Sequence, residues 1–223
     1  MMRMMMFALA WATAMTGSTL AAPTTGATLS PDKRIVYSPP ANRAISPYRA
    51  TRHGQTVIFD NFATLDPKGV YMDGTGFAFG GPDSVIGFAA LAAAFTPTQA
   101  ATVTEVEVAA GYILGRKHDV LVTLYADNSG TPGSKLWQGE SRMPVDGTCC
   151  KTVTVEVTAG PQLEPGAQYW IGLRALPKDT DTFAAWLFNV ADQVDPAPSA
   201  VDVGSGWMTS PALPNVAFAI YGE

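Results

Sequence analysis

Apolar and polar positions alternate with a period of two along much of the chain after residue 100. In TVTEVEVA, Val106 and Val108 fall on one face and Glu105 and Glu107 on the other. DVLVTLYA sets Val120, Val122 and Leu124 against Leu121, Thr123 and Tyr125, and KTVTVEVT turns Val153, Val155 and Val157 one way, Thr152, Thr154 and Glu156 the other. QYWIGLR and NVAFAIY repeat the habit, the latter with Val216, Phe218 and Ile220. Successive side chains of a strand point to opposite faces, so these runs predict half-buried strands with their acids outward. Between them lie DNSGTPGS (127–134), MPVDGT (143–148), TAGPQLEPGA (158–167) and ALPKDTDT (175–182), rich in the residues that tight turns require. Many short strands, Gly/Pro turns and no strong helix predict an all-β protein of two packed antiparallel sheets, a β-sandwich. SVIGFAALAAAF spaces Val85, Phe88, Leu91 and Phe95 almost as a helix would. It also contains Gly87 and runs straight into Thr-Pro, so it reads as a strand or two.

The segment LEPGAQYWI carries a second kind of signal. Leu163, Gly166 and Tyr169 have the spacing of a tyrosine corner, in which a tyrosine at a strand start bonds back to upstream backbone. The expected role is to satisfy a buried carbonyl where the chain crosses between sheets.

The first residues change the picture of where the chain goes. Arg3, an apolar run from Met4 to Met15 and small residues up to Ala21 form the charged region, apolar region and cleavage site of a secretory signal peptide, 1–21. The apolar run is too short to span a bilayer, which takes roughly 20 residues. Residues 22–55 are rich in Pro, Ser, Thr and Ala without a hydrophobic period, and predict an extended basic linker. The sandwich is then expected over 56–223. Its mature form is expected to be secreted, into periplasm or medium, without a membrane span and as a monomer; the closing NVAFAIYGE shows neither an apolar span nor a basic tail.

Several phrases are shared with a known family. AAAFTPT, VTEVEVAAGYILG, VLVTLYADNSGTPGSKL, the Cys149-Cys150 pair, LEPGAQYWI, TFAAWLFN and AFAIYG occur in an order that resembles bacterial choice-of-anchor R domains, over roughly Val57 to Gly222. The resemblance implies a secreted or surface-displayed, jelly-roll-like sandwich of unassigned biochemical role, and it carries no catalytic residues across. The family's members end in sorting signals, and this chain departs from that pattern at Glu223.

Charge narrows the partners. All but one of the 19 acids follow residue 55, whereas six of the 14 Lys and Arg precede it, so the sandwich part carries a formal charge near −10. An acidic surface repels phosphate backbones, which disfavours nucleic acid. Hydrolytic signatures are weak: there is no G-x-S-x-G elbow, and His53 and His118 lie in the linker and in a turn-like RKHD. No phosphate loop or dinucleotide fingerprint occurs. A carboxylate pair for glycoside hydrolysis is set in space rather than in sequence and stays open.

Three sets of residues remain as candidate sites. Cys149 and Cys150 are adjacent, and Cα atoms about 3.8 Å apart are closer than the usual disulfide span. A vicinal ring stiffening the turn before KTVTVEV, a reduced pair and an intermolecular bridge all fit. Two adjacent thiols do not complete a tetrahedral zinc shell. Asp127, Asp179 and Asp181 sit in oxygen-rich turns that suit a structural calcium, with plain Asx turns as the alternative; no other cofactor is expected. Trp170 and Trp186 read as core, and Trp137 and Trp207 as aromatic faces on which a sugar stacks. The functional expectation is a non-catalytic module binding extracellular polysaccharide or a surface protein, against an extracellular hydrolase or accessory domain with a spatial acid pair, or a structural, adhesive module.

Overall fold

The computed structural model describes residues 27–29, 34–37, 54–62, 75–143, 152–189, 198–210 and 215–223, the first two stretches and residue 75 for the backbone. Every regular element among them is a strand. In chain order these are β1 (Ala27–Leu29), β2 (Arg34–Tyr37), β3 (Thr56–Asp60), β4 (Thr75–Gly80), β5 (Ala90–Phe95), β6 (Ala101–Val108), β7 (Ala110–Leu114) and β8 (Asp119–Asp127). There follow β9 (Pro132–Arg142), β10 (Val153–Glu156), β11 (Gln162–Leu163), β12 (Tyr169–Ala175), β13 (Phe183–Leu187), β14 (Ser199–Asp202), β15 (Trp207–Ser210) and β16 (Phe218–Gly222).

One layer is a six-stranded antiparallel sheet in the order β15-β14-β5-β12-β8-β9. The other combines two five- and four-stranded paths, β1-β2-β4-β13-β7 and β10-β6-β16-β3. They meet at a seam where β6 runs into β7 through Ala109, whose amide bonds Ala217 and whose carbonyl accepts from Leu187. The inner face of each layer supplies the main core. Leu91, Phe95, Val122, Leu124, Ile171 and Leu173 come from the six-stranded sheet, and Val106, Val108, Val155, Trp186, Phe218 and Ile220 from the other. The period-two runs therefore point as their pattern predicts, and the all-β sandwich is the observed architecture.

The ambiguous alanine run becomes β5, all of it buried. Leu91, Ala93 and Phe95 face the core, and Ala92 and Ala94 face outward, where Trp170 of β12 packs in register with Ala94. Alanine on that face leaves room for an indole, which explains an alanine-rich strand despite its helical propensity. The two short strands β1 and β2 lie within the segment read as an extended linker, and β2 pairs with β4 from Arg34↔Phe77 to Val36↔Thr75. The β-branched and aromatic run Ile35-Val36-Tyr37 suits a strand. This part of the linker adds strands to the sandwich.

The acids of β6 differ most from expectation. Glu105 and Glu107, expected in water, are buried. Their face also carries Ala219, Tyr221 and Phe62, part of a second apolar cluster on the outside of this layer. Glu107 is held there by hydrogen bonds from the Thr152 hydroxyl (2.5 Å) and the Tyr221 hydroxyl (3.2 Å). A buried carboxylate needs such donors. Period two assigns a residue to a face, but whether that face meets water is a tertiary matter.

Candidate functional site

At one end of the sandwich the two layers part around a cavity of about 370 Å³. β3 brings Phe59 and, just beyond it, Asn61; β5 brings Phe95 and the following Thr96; the turn before β12 brings Gln168; the approach to β16 brings Asn215 and Phe218. Aromatic rings form the floor. Phe59 stacks on Phe218 at 4.7 Å between centroids, and Phe95 meets Phe218 edge-on at 5.9 Å and Phe59 at 5.6 Å. Amides and a hydroxyl form the rim, and no described lining residue is charged.

The rim is held in place from below. Asn61 brackets β3 to β16: its Nδ2 donates to the Val216 carbonyl (2.8 Å) and its Oδ1 accepts from the Phe218 amide (2.8 Å). Gln168 donates through Nε2 to Asp127 Oδ1 (2.7 Å), which leaves its carbonyl oxygen to accept a further bond. The same Asp127 oxygen accepts from the Trp170 indole (2.7 Å), and both carboxylate oxygens accept from the Gly130 amide. Partial burial pushes the Asp127 carboxyl up, but the bonds from Trp170, Gly130, Gln168 and Ser129 outweigh it, and its pKa lies below the ordinary value. The turn that places Asp127 is local chemistry: Ser129 and Gly130 have φ of 53° and 85°, and Asn128 and Thr131 exchange backbone bonds, as a type I′ hairpin turn demands.

Gln168 owes its place to the segment read as a tyrosine corner. Pro165-Gly166 makes the turn, with Gly166 at φ 77°, and the Glu164 amide donates to the Tyr169 hydroxyl oxygen at 3.1 Å. The tyrosine thus bonds back to upstream backbone, accepting from an amide where a carbonyl partner was expected. Leu163 is wholly buried beneath it.

The other predicted residues are not gathered into one site. Asp127 lies at one end of β12, whereas Asp179 and Asp181 follow its other end. Asp181 is paired with Arg116, whose Nε and backbone amide both reach its Oδ2 (3.0 and 3.2 Å), and this holds its carboxyl below the ordinary pKa. Asp179 is buried with Oδ2 unpartnered. For calcium at Asp127, N–H donors from Trp170, Gly130, Gln168 and Ser129 already occupy the carboxylate; among the described residues no three acidic, histidine or cysteine side chains gather as a metal site. Trp137, on the edge strand β9, packs half-buried against the inner core. Its ring lies 2.4 Å from where a Cβ on Gly139 would stand, so any side chain there would displace it. Trp207, on the opposite edge strand β15, is half-buried on the outer face, edge-on to Tyr125 at 5.9 Å. The two indoles belong to opposite faces and edges, and make no common platform. Cys149 and Cys150 lie outside the described residues, as do the predicted signal peptide and His53. The acids that do come together, Glu105 and Glu107, are buried two residues apart on one face of β6.

Sequence reasoning missed Phe59, Asn61, Thr96, Gln168 and Asn215. They come from four widely separated parts of the chain; Thr96, Gln168 and Asn215 lay in segments with a readable signal, but none of those signals pointed to a shared cavity. A scan against protein-family models and a search of curated proteins return no match for this chain.

Proposed function

We propose that the protein is an exported, non-catalytic β-sandwich of the choice-of-anchor R kind that binds a neutral, hydroxylated ligand, such as an extracellular glycan, in the end cavity. The observation that carries this reading is a rim of amides over an aromatic floor, with no charge among the described lining residues. Sugars offer hydroxyls to amide groups and C–H faces to rings, and an uncharged pocket has no means of selecting an ion. Asp127 acts at one remove, as a positioning residue that orients Gln168.

The test is a glycan array and polysaccharide pull-down with the purified protein. Phe59→Ala, Gln168→Ala and Asn215→Ala are expected to weaken capture at least tenfold, and Trp137→Ala and Trp207→Ala to leave it unchanged. Capture that survives all three cavity substitutions, or no capture of any neutral glycan, overturns the proposal.

A further inference from the structure

A second, smaller cavity of about 120 Å³ lies between the layers immediately beside the first. Its walls are mainly apolar, Phe77, Leu91, Trp186, Val201, Met208 and Val216, with Ser199 and Ser210 as the polar members. Val216 also lines the end cavity and is common to both among the described lining residues. The cavities follow each other along β5, the smaller over Leu91 and Ala92, the larger over Ala93 and Ala94. Asn61 holds the Val216 carbonyl from the side of the larger cavity, which fixes its backbone, and the Val216 side chain is buried in the main core. At the outer rim of the smaller cavity sits Met208, half exposed on the edge strand.

Folded interiors leave few voids, because atoms lining an empty space lose their dispersion partners. An apolar cavity is also poor at holding water, which needs polar partners, and one of about 150 Å³ admits benzene. The space, somewhat smaller than that, is thus suited to a short hydrocarbon chain or, with slight expansion, an aryl ring. Its neighbour is suited to hydroxyls.

We infer that the ligand is amphiphilic, a neutral hydroxylated head group in the end cavity carrying a short alkyl or aryl substituent that passes Val216 into the apolar cavity. This rests on the proposed function and specifies the class of ligand. Each methylene moved from water into such a space contributes about a fourfold gain in affinity. Volume limits the gain to roughly four to six carbons.

The experiment compares methyl and butyl glycosides of glucose, galactose and N-acetylglucosamine by titration calorimetry against the full chain. The butyl member of at least one pair is expected to bind tenfold or more tightly than its methyl partner. Val201→Phe, which fills the cavity from its wall, and Met208→Trp, which covers its rim, are each expected to abolish that preference and leave methyl glycoside binding as it was. Benzene alone supplies a readout independent of the head group: it is expected to shift the methyl NMR signals of Val201 and Val216, and butyl glycoside to displace it. Equal binding of butyl and methyl members overturns the amphiphile and leaves glycan binding standing. A butyl preference that persists in both filled variants overturns the assigned cavity. Benzene binding without any glycoside binding sinks the proposed function and this inference with it.

Discussion

Trp186 and Trp170 are the two largest wholly buried side chains among the described residues, and they are buried in different ways. Trp186 lies between the layers, edge-on to Phe218 at 5.8 Å, and its indole N–H donates to the Ala217 carbonyl at 3.1 Å. Trp170 lies on the outer face of the six-stranded sheet, among Ala92, Ala94 and Ala200, and its indole N–H donates to the Asp127 carboxylate. Both satisfy the rule that a buried indole finds an acceptor. A carbonyl partner keeps the same charge at every pH. A carboxylate partner is stronger but titrates, and here it is shared with Gln168 on the rim of the end cavity. The inner indole therefore carries no titrating partner, whereas the outer one belongs to a network that reaches the rim of the end cavity.

The largest effect that sharpens this contrast is expected at the inner position. Trp186→Ala should destabilise the fold by about 3–5 kcal/mol, seen as a lower urea midpoint. A loss under about 1 kcal/mol would show that the layers close without it. Trp170→Phe should cost about 1.5–3 kcal/mol, the range for a hydrogen bond to a charged group. It should also alter ligand capture through the loosened Asp127. Next in size is Tyr169→Phe, which leaves the Glu164 amide without its protein acceptor and should cost about 0.5–1.5 kcal/mol in the same assay.

The smallest effect is the most diagnostic. The Asp127 carboxyl has its pKa lowered in the folded chain, so its charge contributes stability above the unfolded value of about 3.9, and that contribution is lost as pH falls through the folded pKa. Asp127→Asn should melt below the unchanged protein at pH 7, and the gap should close as the pH is brought below about 4. Trp186 variants should show a gap that does not change over that range. A constant gap for Asp127→Asn would mean that the carboxylate charge is not what holds Trp170 and Gln168.

The parts of the fold legible from sequence were those set by neighbours. Alternation in 104–109, 120–125, 153–157 and 216–220 placed the inward valines, Phe218 and Ile220, because the side-chain period of a strand is a local property. The turns at 127–131 and 164–167 were legible for the same reason: Ser-Gly and Pro-Gly adopt their dihedrals with little help from elsewhere. Glu105 and Glu107 show the limit. Their face was read correctly and their burial was not, since a second apolar cluster occupies that side of the layer.

Tertiary structure alone decided where the chemistry falls. Phe59 and Asn61 carry no motif, Phe95, Gln168 and Asn215 carry only strand and turn signals, and they meet because β3, β5, β12 and β16 end at the same side of the sandwich. Trp137 and Trp207, which looked alike in sequence, were sent to opposite edges by the strand order. Strand formation follows from the chain's own short-range sterics and hydrophobic pattern, whereas a cavity depends on which strands become neighbours and how far each extends. That depends on contacts between residues as far apart as Asn61 and Phe218, and no local pattern encodes it.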